Sequence, residues 1–148
     1  MRVETLLLPH AEGLGPPLRH SAEAAGVDLM AAIPADAELI LKPGERRLVP
    51  TGIVLRLPLG YEGQVRPRSG IALKHGVTVL NSPGTIDSDY RGELMVLLIN
   101  LGDSDFPIRR GDRIAQLVVS PVVFAEFTTV LDLQNSERST KGFGSTGV

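Results

Sequence analysis

The chain has 148 residues, a formal net charge of -2, 43% hydrophobic and 4% aromatic residues, and no cysteine. That length suits one domain able to bury a core and leaves no room for a second. The charge and the scarcity of aromatics exclude a polybasic nucleic-acid surface, and the lack of Cys excludes disulfides, thiolate catalysis and a Cys-type zinc site.

The opening run Met1 to Pro9 carries a charge inside a short apolar stretch, which makes neither a signal peptide nor a membrane span, so a soluble, cytoplasmic protein is expected. Apolar segments of about four to eight residues then recur between Pro and Gly, the spacing of an all-β sandwich or barrel. Val3 to Leu8 reads as a first strand, His10 to His20 as a Gly/Pro-rich connection, and Ala25 to Ala31 as a second strand carrying one charge, Asp28. Glu38 to Leu41 leads through the turn Lys42-Pro43-Gly44-Glu45 to a strand at Arg47 to Val49. Ile53 to Leu57 alternates, so one face is buried. Tyr61 to Arg66 runs into Pro67-Arg68-Ser69-Gly70-Ile71-Ala72-Leu73, the one place where a short helix is expected. Val77 to Leu80 and Leu94 to Ile99 should fold back on each other across Asn81-Ser82-Pro83-Gly84, where Pro sets a negative φ and Gly supplies a positive one. Leu94 to Ile99, apolar on both faces, is the candidate central strand. Asp112 to Val119 follows a turn at Arg110-Gly111, and Val122 to Phe127 reads as the last strand. From about Gln134 the composition shifts to Ser, Thr and Gly, so residues 1–133 are read as the β domain and 134–148 as a flexible tail.

Chemistry concentrates in Gly84-Thr85-Ile86-Asp87-Ser88-Asp89-Tyr90-Arg91-Gly92-Glu93. A carboxylate on a β element, with an aromatic three residues on and an arginine beside it, has the parts of a general base next to a flat ligand and an anion. The bland alternative is a solvated turn with an Asp cap. In Pro67-Arg68-Ser69-Gly70 the serine can cap a helix while backbone N–H groups and Arg68 meet an anion; an ordinary cap with a surface arginine is the other reading. Lys141 to Gly147 can wrap backbone N–H groups around phosphate but lacks the order of a Walker A loop, and it also reads as a plain terminus. Asp28 and Gln116, polar among apolar neighbours, are either satisfied core groups or site residues. His10, His20 and His75 lack ligand spacing and read as surface or loop residues.

Taken together, Ala25-Gly26-Val27-Asp28-Leu29, Pro67-Arg68-Ser69-Gly70, Asn81 with Gly84 to Gly92, Arg113-Ile114-Ala115-Gln116-Leu117, and Arg138 with Gly142 to Gly147 resemble the five ordered motifs of the trimeric dUTP pyrophosphatases (dUTPases). The resemblance implies a jelly-roll-like β-fold (a β-clip), a homotrimer with shared sites, Mg²⁺, and hydrolysis of dUTP to dUMP and pyrophosphate, which keeps uracil out of DNA and supplies dUMP for dTMP synthesis. It implies neither a nucleic-acid nor a membrane partner. Carried over by position, Asp87 would deprotonate the attacking water and Tyr90 would pack on the deoxyribose. Asn81 and the backbone of Gly84, Thr85 and Ile86 would read the uracil. Arg68, Ser69, Gly70 and Gln116 would meet phosphates or their water, and Asp28 would hold metal-bound water. Arg138, Gly144, Ser145 and Thr146 would clamp the distal phosphates, with Phe143 stacked on the base. The tail departs from the family's Arg-Gly-x-Gly-Gly-Phe-Gly at Ser139 and Lys141, which bears on tail closure and not on the reaction class. A dCTP deaminase on the same fold would need its own catalytic Glu, and Glu93 is the only acid that close downstream. A silent nucleotide-binding regulator or a β-sandwich binding module are the remaining alternatives.

Overall fold

The computed structural model describes residues 1–134, 136, 139 and 140. Eleven strands, one short helix and a 3-10 turn at Pro9–Ala11 follow the Pro and Gly punctuation: β1 Glu4–Leu7, β2 Val27–Met30, β3 Glu38–Leu41, β4 Arg46–Pro50, β5 Ile53–Arg56, β6 Tyr61–Arg66, α1 Ser69–His75, β7 Val77–Val79, β8 Gly84–Ile86, β9 Met95–Asn100, β10 Phe106–Arg109 and β11 Arg113–Pro121. They sort into four small sheets, ordered β1-β5, β10-β3, β2-β11-β6-β8 and β4-β9-β7, with all pairings antiparallel.

All the sheets share one core. Leu29, Leu41, Val49, Leu55, Val65, Val79, Val96, Leu98, Ile108 and Leu117 close on each other from different strands. The strict alternation of β9 buries Val96, Leu98 and Asn100, with β4 and β7 on its two sides, so it is the central strand of its sheet as the sequence implies. Asn100 is fully buried without penalty because its side-chain amide donates to Leu41 O and Ser104 O, both at 2.8 Å, and accepts from Gly102 N at 2.9 Å. The Lys42 to Glu45 turn closes with Glu45 N donating to Lys42 O. Its Lys42 N–H also donates to the Glu45 carboxylate, which with Arg47 nearby holds that carboxyl below its ordinary range. Helix α1 ends at Gly76, whose φ of 68° and close approach to Gly102 leave no room for a side chain.

Three expectations are corrected. Val122 to Phe127 forms no strand: β11 runs on to Pro121 beside β6, and after Val122 N donates to Gly60 O the chain has no strand partner among the described residues. Val123 and Phe127 are consequently 90% and 94% exposed. The Asn81 to Gly84 turn does not use a positive φ at Gly84; it turns at a cis Ser82-Pro83 bond. Val77 to Leu80 and Leu94 to Ile99 do pair antiparallel, as Val77 with Asn100 and Val79 with Leu98, but the chain between them travels out to lay β8 on β6. Finally, Arg68 and not Ser69 is the N-cap of α1, its backbone extended and its side chain making no cap bond, which makes Ser69 the first helical residue.

Candidate active site

The site begins with strand register. Gln116 on β11 pairs with Asp28 on β2 and with Arg66 on β6, so directly opposed positions put these three side chains on one face of the sheet. Two residues along, Val118, Gln64 and Thr85 occupy the same face, while Leu117, Val65 and Gly84 point the other way into the core. The two polar residues singled out in apolar strands are thus neighbours, each half-buried.

Asp28 is the hub of this end. Its carboxylate takes Arg68 Nε at 3.1 Å on Oδ1 and Arg113 Nη1 at 3.2 Å on Oδ2, with His20 Nε2 3.0 Å from Oδ2. Arg68 also donates from Nη1 to Arg113 O at 2.8 Å, so two of its five N–H donors are spent inside the protein. Gln116 Nε2 donates to Pro67 O at 2.8 Å, which ties the Pro67 to Ser69 bend to the sheet. Gly26 lies so close to Gln116 Oε1 that a Cβ would stand 2.9 Å from it. Ser69 is exposed at the start of α1, and its hydroxyl has no protein partner among the described residues. Gly70 beside it is also exposed. An open groove of about 520 Å³ runs over this surface, lined by Gln64, Arg66, Pro67, Ser69, Ser82, Pro83 and Gln116. Arg66 and Gln64, two residues apart on β6, bond to each other along it and do not stand out in the sequence; Arg113 enters there only within its motif, and His20 only as a surface or loop residue, whereas both face Asp28. Counting register along β6 from the Pro67-Arg68-Ser69 bend is the signal that finds the first two.

The second group lies beyond β8. Gly84 is buried, with the Asn81 side chain packed on it, Ile86 is half-buried, and Thr85 is exposed. Asp87 is exposed one residue past the strand, and Tyr90 N donates to Asp87 O at 3.2 Å to close a turn that presents the carboxylate and a 44% exposed phenol ring together. Arg91 folds back onto Ser88 O and Tyr90 O. Because β8 runs antiparallel to β6, Asp87 stands level with Glu62, four positions along β6 from Arg66 and two strands over from Gln116. At about 3.3 Å per residue and about 4.8 Å per strand, that separates Asp87 from Gln116 by about 16 Å. Within one chain the structure therefore brings Asp28, Arg68, Ser69, Gly70 and Gln116 together as one cluster and Asp87 with Tyr90 as a second, with Gly84, Thr85 and Ile86 of β8 lying between them and Asn81 packed on Gly84. Arg138, Phe143, Gly144, Ser145 and Thr146 lie outside the described residues. Among the described residues no three His, Cys, Asp or Glu side chains converge as a metal site, and no helix is long and apolar enough to cross a membrane.

Comparison with known proteins meets this geometry. The chain is 60% identical over 146 residues to the deoxyuridine 5'-triphosphate nucleotidohydrolase of Beijerinckia indica, covering 99% of this chain and 91% of that protein. With the protein of the same name from Mesorhizobium japonicum it shares 60% identity over 140 residues, 95% of this chain and 87% of the relative. The structure of a variant of the Staphylococcus bacteriophage 80alpha dUTPase with dUpNHpp matches it with a TM-score of 0.88 at 27% identity, over 99% of both chains. A variant of the dUTPase from phage phi11 of S. aureus, whose structure describes the coordination of a structural Mg(II) ion, shares the fold with a TM-score of 0.78 at 24% identity, over 89% of this chain and 98% of that one. The dUTPase family model matches residues 15–147, and the chain belongs to the dUTPase family.

Proposed function

We propose that the chain hydrolyses dUTP to dUMP and pyrophosphate at a site built from the two clusters of neighbouring subunits in a homotrimer. The observation that carries this reading is the exposed Asp87 beside Tyr90, held at the end of a strand, with an Asp28, Arg68, Ser69 and Gln116 cluster on the same chain set apart from it. A general base must reach its proton directly or through one water, and the register leaves the phosphate-binding cluster about 16 Å along the sheet from Asp87, not beside it. A second subunit supplies the missing half.

In this reading Asp87 takes a proton from water as the water oxygen attacks the α-phosphorus. The bond from that phosphorus to the bridging oxygen breaks, and pyrophosphate leaves. Ser69, with its hydroxyl uncommitted, donates to that bridging oxygen, and the remaining donors of Arg68 meet phosphate charge with Gly70 allowing close approach. Asn81 and the Gly84, Thr85 and Ile86 backbone pair with the uracil edge, and Tyr90 packs where a ribose 2′-hydroxyl would sit. Gln116 acts mainly by fixing the Pro67 to Ser69 bend. From the tail, Arg138, Gly144, Ser145 and Thr146 hold the distal phosphates and Phe143 stacks on the base.

Mg²⁺ fits these residues in one mode only. A carboxylate has about four acceptor positions, and three neighbours already face Asp28. The remaining one suits a water of an ion carried by the phosphates, which matches the preference of Mg²⁺ for keeping its hydration. When bound, the ion neutralises phosphate charge and holds the triphosphate in one conformation.

The test is turnover of dUTP and of dCTP, with Mg²⁺ or with chelator, scored for pyrophosphate and for deaminated base. Pyrophosphate from dUTP alone is expected. Deamination of dCTP would give the deaminase reading instead, and nucleotide binding without turnover would give the regulator.

A further inference from the structure

The loop Asp87 to Gly92 is held almost entirely by itself. Its hydrogen bonds among the described residues run from Tyr90 N to Asp87 O, from Arg91 to Ser88 O and Tyr90 O, and from Tyr90 Oη to Glu93 O at 3.0 Å. On its far side the first long-range hold is Glu93. The Glu93 carboxylate accepts Gly52 N–H at 2.7 Å on Oε1, and the same oxygen lies 2.8 Å from His10 Nε2. Leu94 follows, fully buried, with its carbonyl accepting Thr51 Oγ1 at 2.6 Å and its N–H donating to Ile53 O at 2.7 Å.

The parts that present this grip are themselves constrained. Gly52 has a φ of 66° and packs so tightly on Ala11 that no Cβ fits, and Leu8 N donates to Gly52 O at 2.8 Å. Those contacts seat the Pro9–Ala11 turn, and with it His10, beside Glu93. On the loop side, Gly92 lies beneath the Tyr90 ring, where a Cβ would overlap the phenol. Only glycine there lets the ring fold back far enough for its hydroxyl to reach Glu93 O.

We infer that Glu93 is a positioning residue for sugar selection: its carboxylate pins the loop exit to Gly52 and His10, and its carbonyl fixes the tip of the Tyr90 ring. This inference rests on the reading that Tyr90 excludes the ribose 2′-hydroxyl. A single histidine–carboxylate pair with a solvent-facing partner contributes little to stability. What it supplies is geometry, and a misplacement on the order of 1 Å at a reacting site can cost about a hundredfold.

The test is the ratio of kcat/KM for dUTP to that for UTP in the full-length chain. Glu93→Ala should lower that ratio by roughly tenfold or more, because the ring is no longer held against the sugar position. Glu93→Gln keeps an oxygen for the Gly52 N–H and should stay within about threefold of the unmodified chain, a small share of that discrimination. A merely structural role would lower the folded fraction, and so both activities in proportion, leaving the ratio unchanged. Tyr90→Ala separates the two layers of the argument. If Tyr90→Ala collapses the ratio and Glu93→Ala does not, the positioning role is overturned while the reading of Tyr90 stands. If neither changes it, the reading of Tyr90 fails and the inference falls with it. Equal loss in Glu93→Gln and Glu93→Ala would also overturn it. Should Glu93→Ala not fold, Glu93→Asp, which falls one methylene short of Gly52, carries the same comparison.

Discussion

Asp87 and Asp89 stand two residues apart on one exposed turn, Asp87 at its start, where its carbonyl accepts the Tyr90 N–H, and Asp89 within it. Asp87→Asn should keep nucleotide affinity and lose turnover by about 10²–10⁴-fold, the range for a general base, while Asp89→Asn should lose far less. Pre-steady-state binding and single-turnover rates on both variants check it; equal losses would remove Asp87 from its role. A second residue-level outcome concerns stability: Asn100→Ala leaves the Leu41 carbonyl without its side-chain donor and should cost about 1–3 kcal/mol in urea unfolding. At this scale the sequence is readable where chemistry is local. The run from Asp87 to Tyr90 announces itself because carboxylate, ring and turn are consecutive. Asp28 stands out as a charge in an apolar strand, yet its partners Arg113, Arg68 and His20 come from a strand, a helix start and a loop far apart in the chain, and only the fold brings them together.

Elements were legible where their pattern and their partner agree. β6 matches its expected bounds because alternation, a preceding Gly60 and a following Pro67 all point the same way. Val122 to Phe127 has the same apolar, β-branched look, and composition does not tell whether a neighbouring strand exists to accept its backbone. The Gly84 turn fails for a related reason, since Pro-Gly fits several turn geometries and the cis bond leaves no mark on the sequence. The element whose role is most open to trial is the tail. Deleting residues 137–148 should leave the folded assembly intact and reduce dUTP turnover by about tenfold or more, as losing a segment that completes a site does. Phe143→Ala should weaken nucleotide binding by roughly 1–3 kcal/mol if its ring stacks on the base, read by titration calorimetry.

For the whole molecule, the division of the proposed site between two clusters has a direct consequence for mixtures. A chain carrying Asp87→Asn still offers a good Ser69, and a chain carrying Ser69→Ala still offers a good Asp87. Co-refolding these two inactive variants should restore a fraction of dUTP turnover, because some sites then pair the intact half of each. No recovery, in a preparation that light scattering shows to be a mixed trimer, would count against sites shared between subunits. The exposed segment after Pro121 bears on the same assembly in another way. Val123, Phe124, Phe127 and Leu133 are all exposed in the isolated chain, and burying that much apolar surface against another subunit would make association part of folding itself. Stability would then obey mass action: the melting temperature should climb as protein concentration is raised, and dilution alone should loosen the enzyme without any change of solvent.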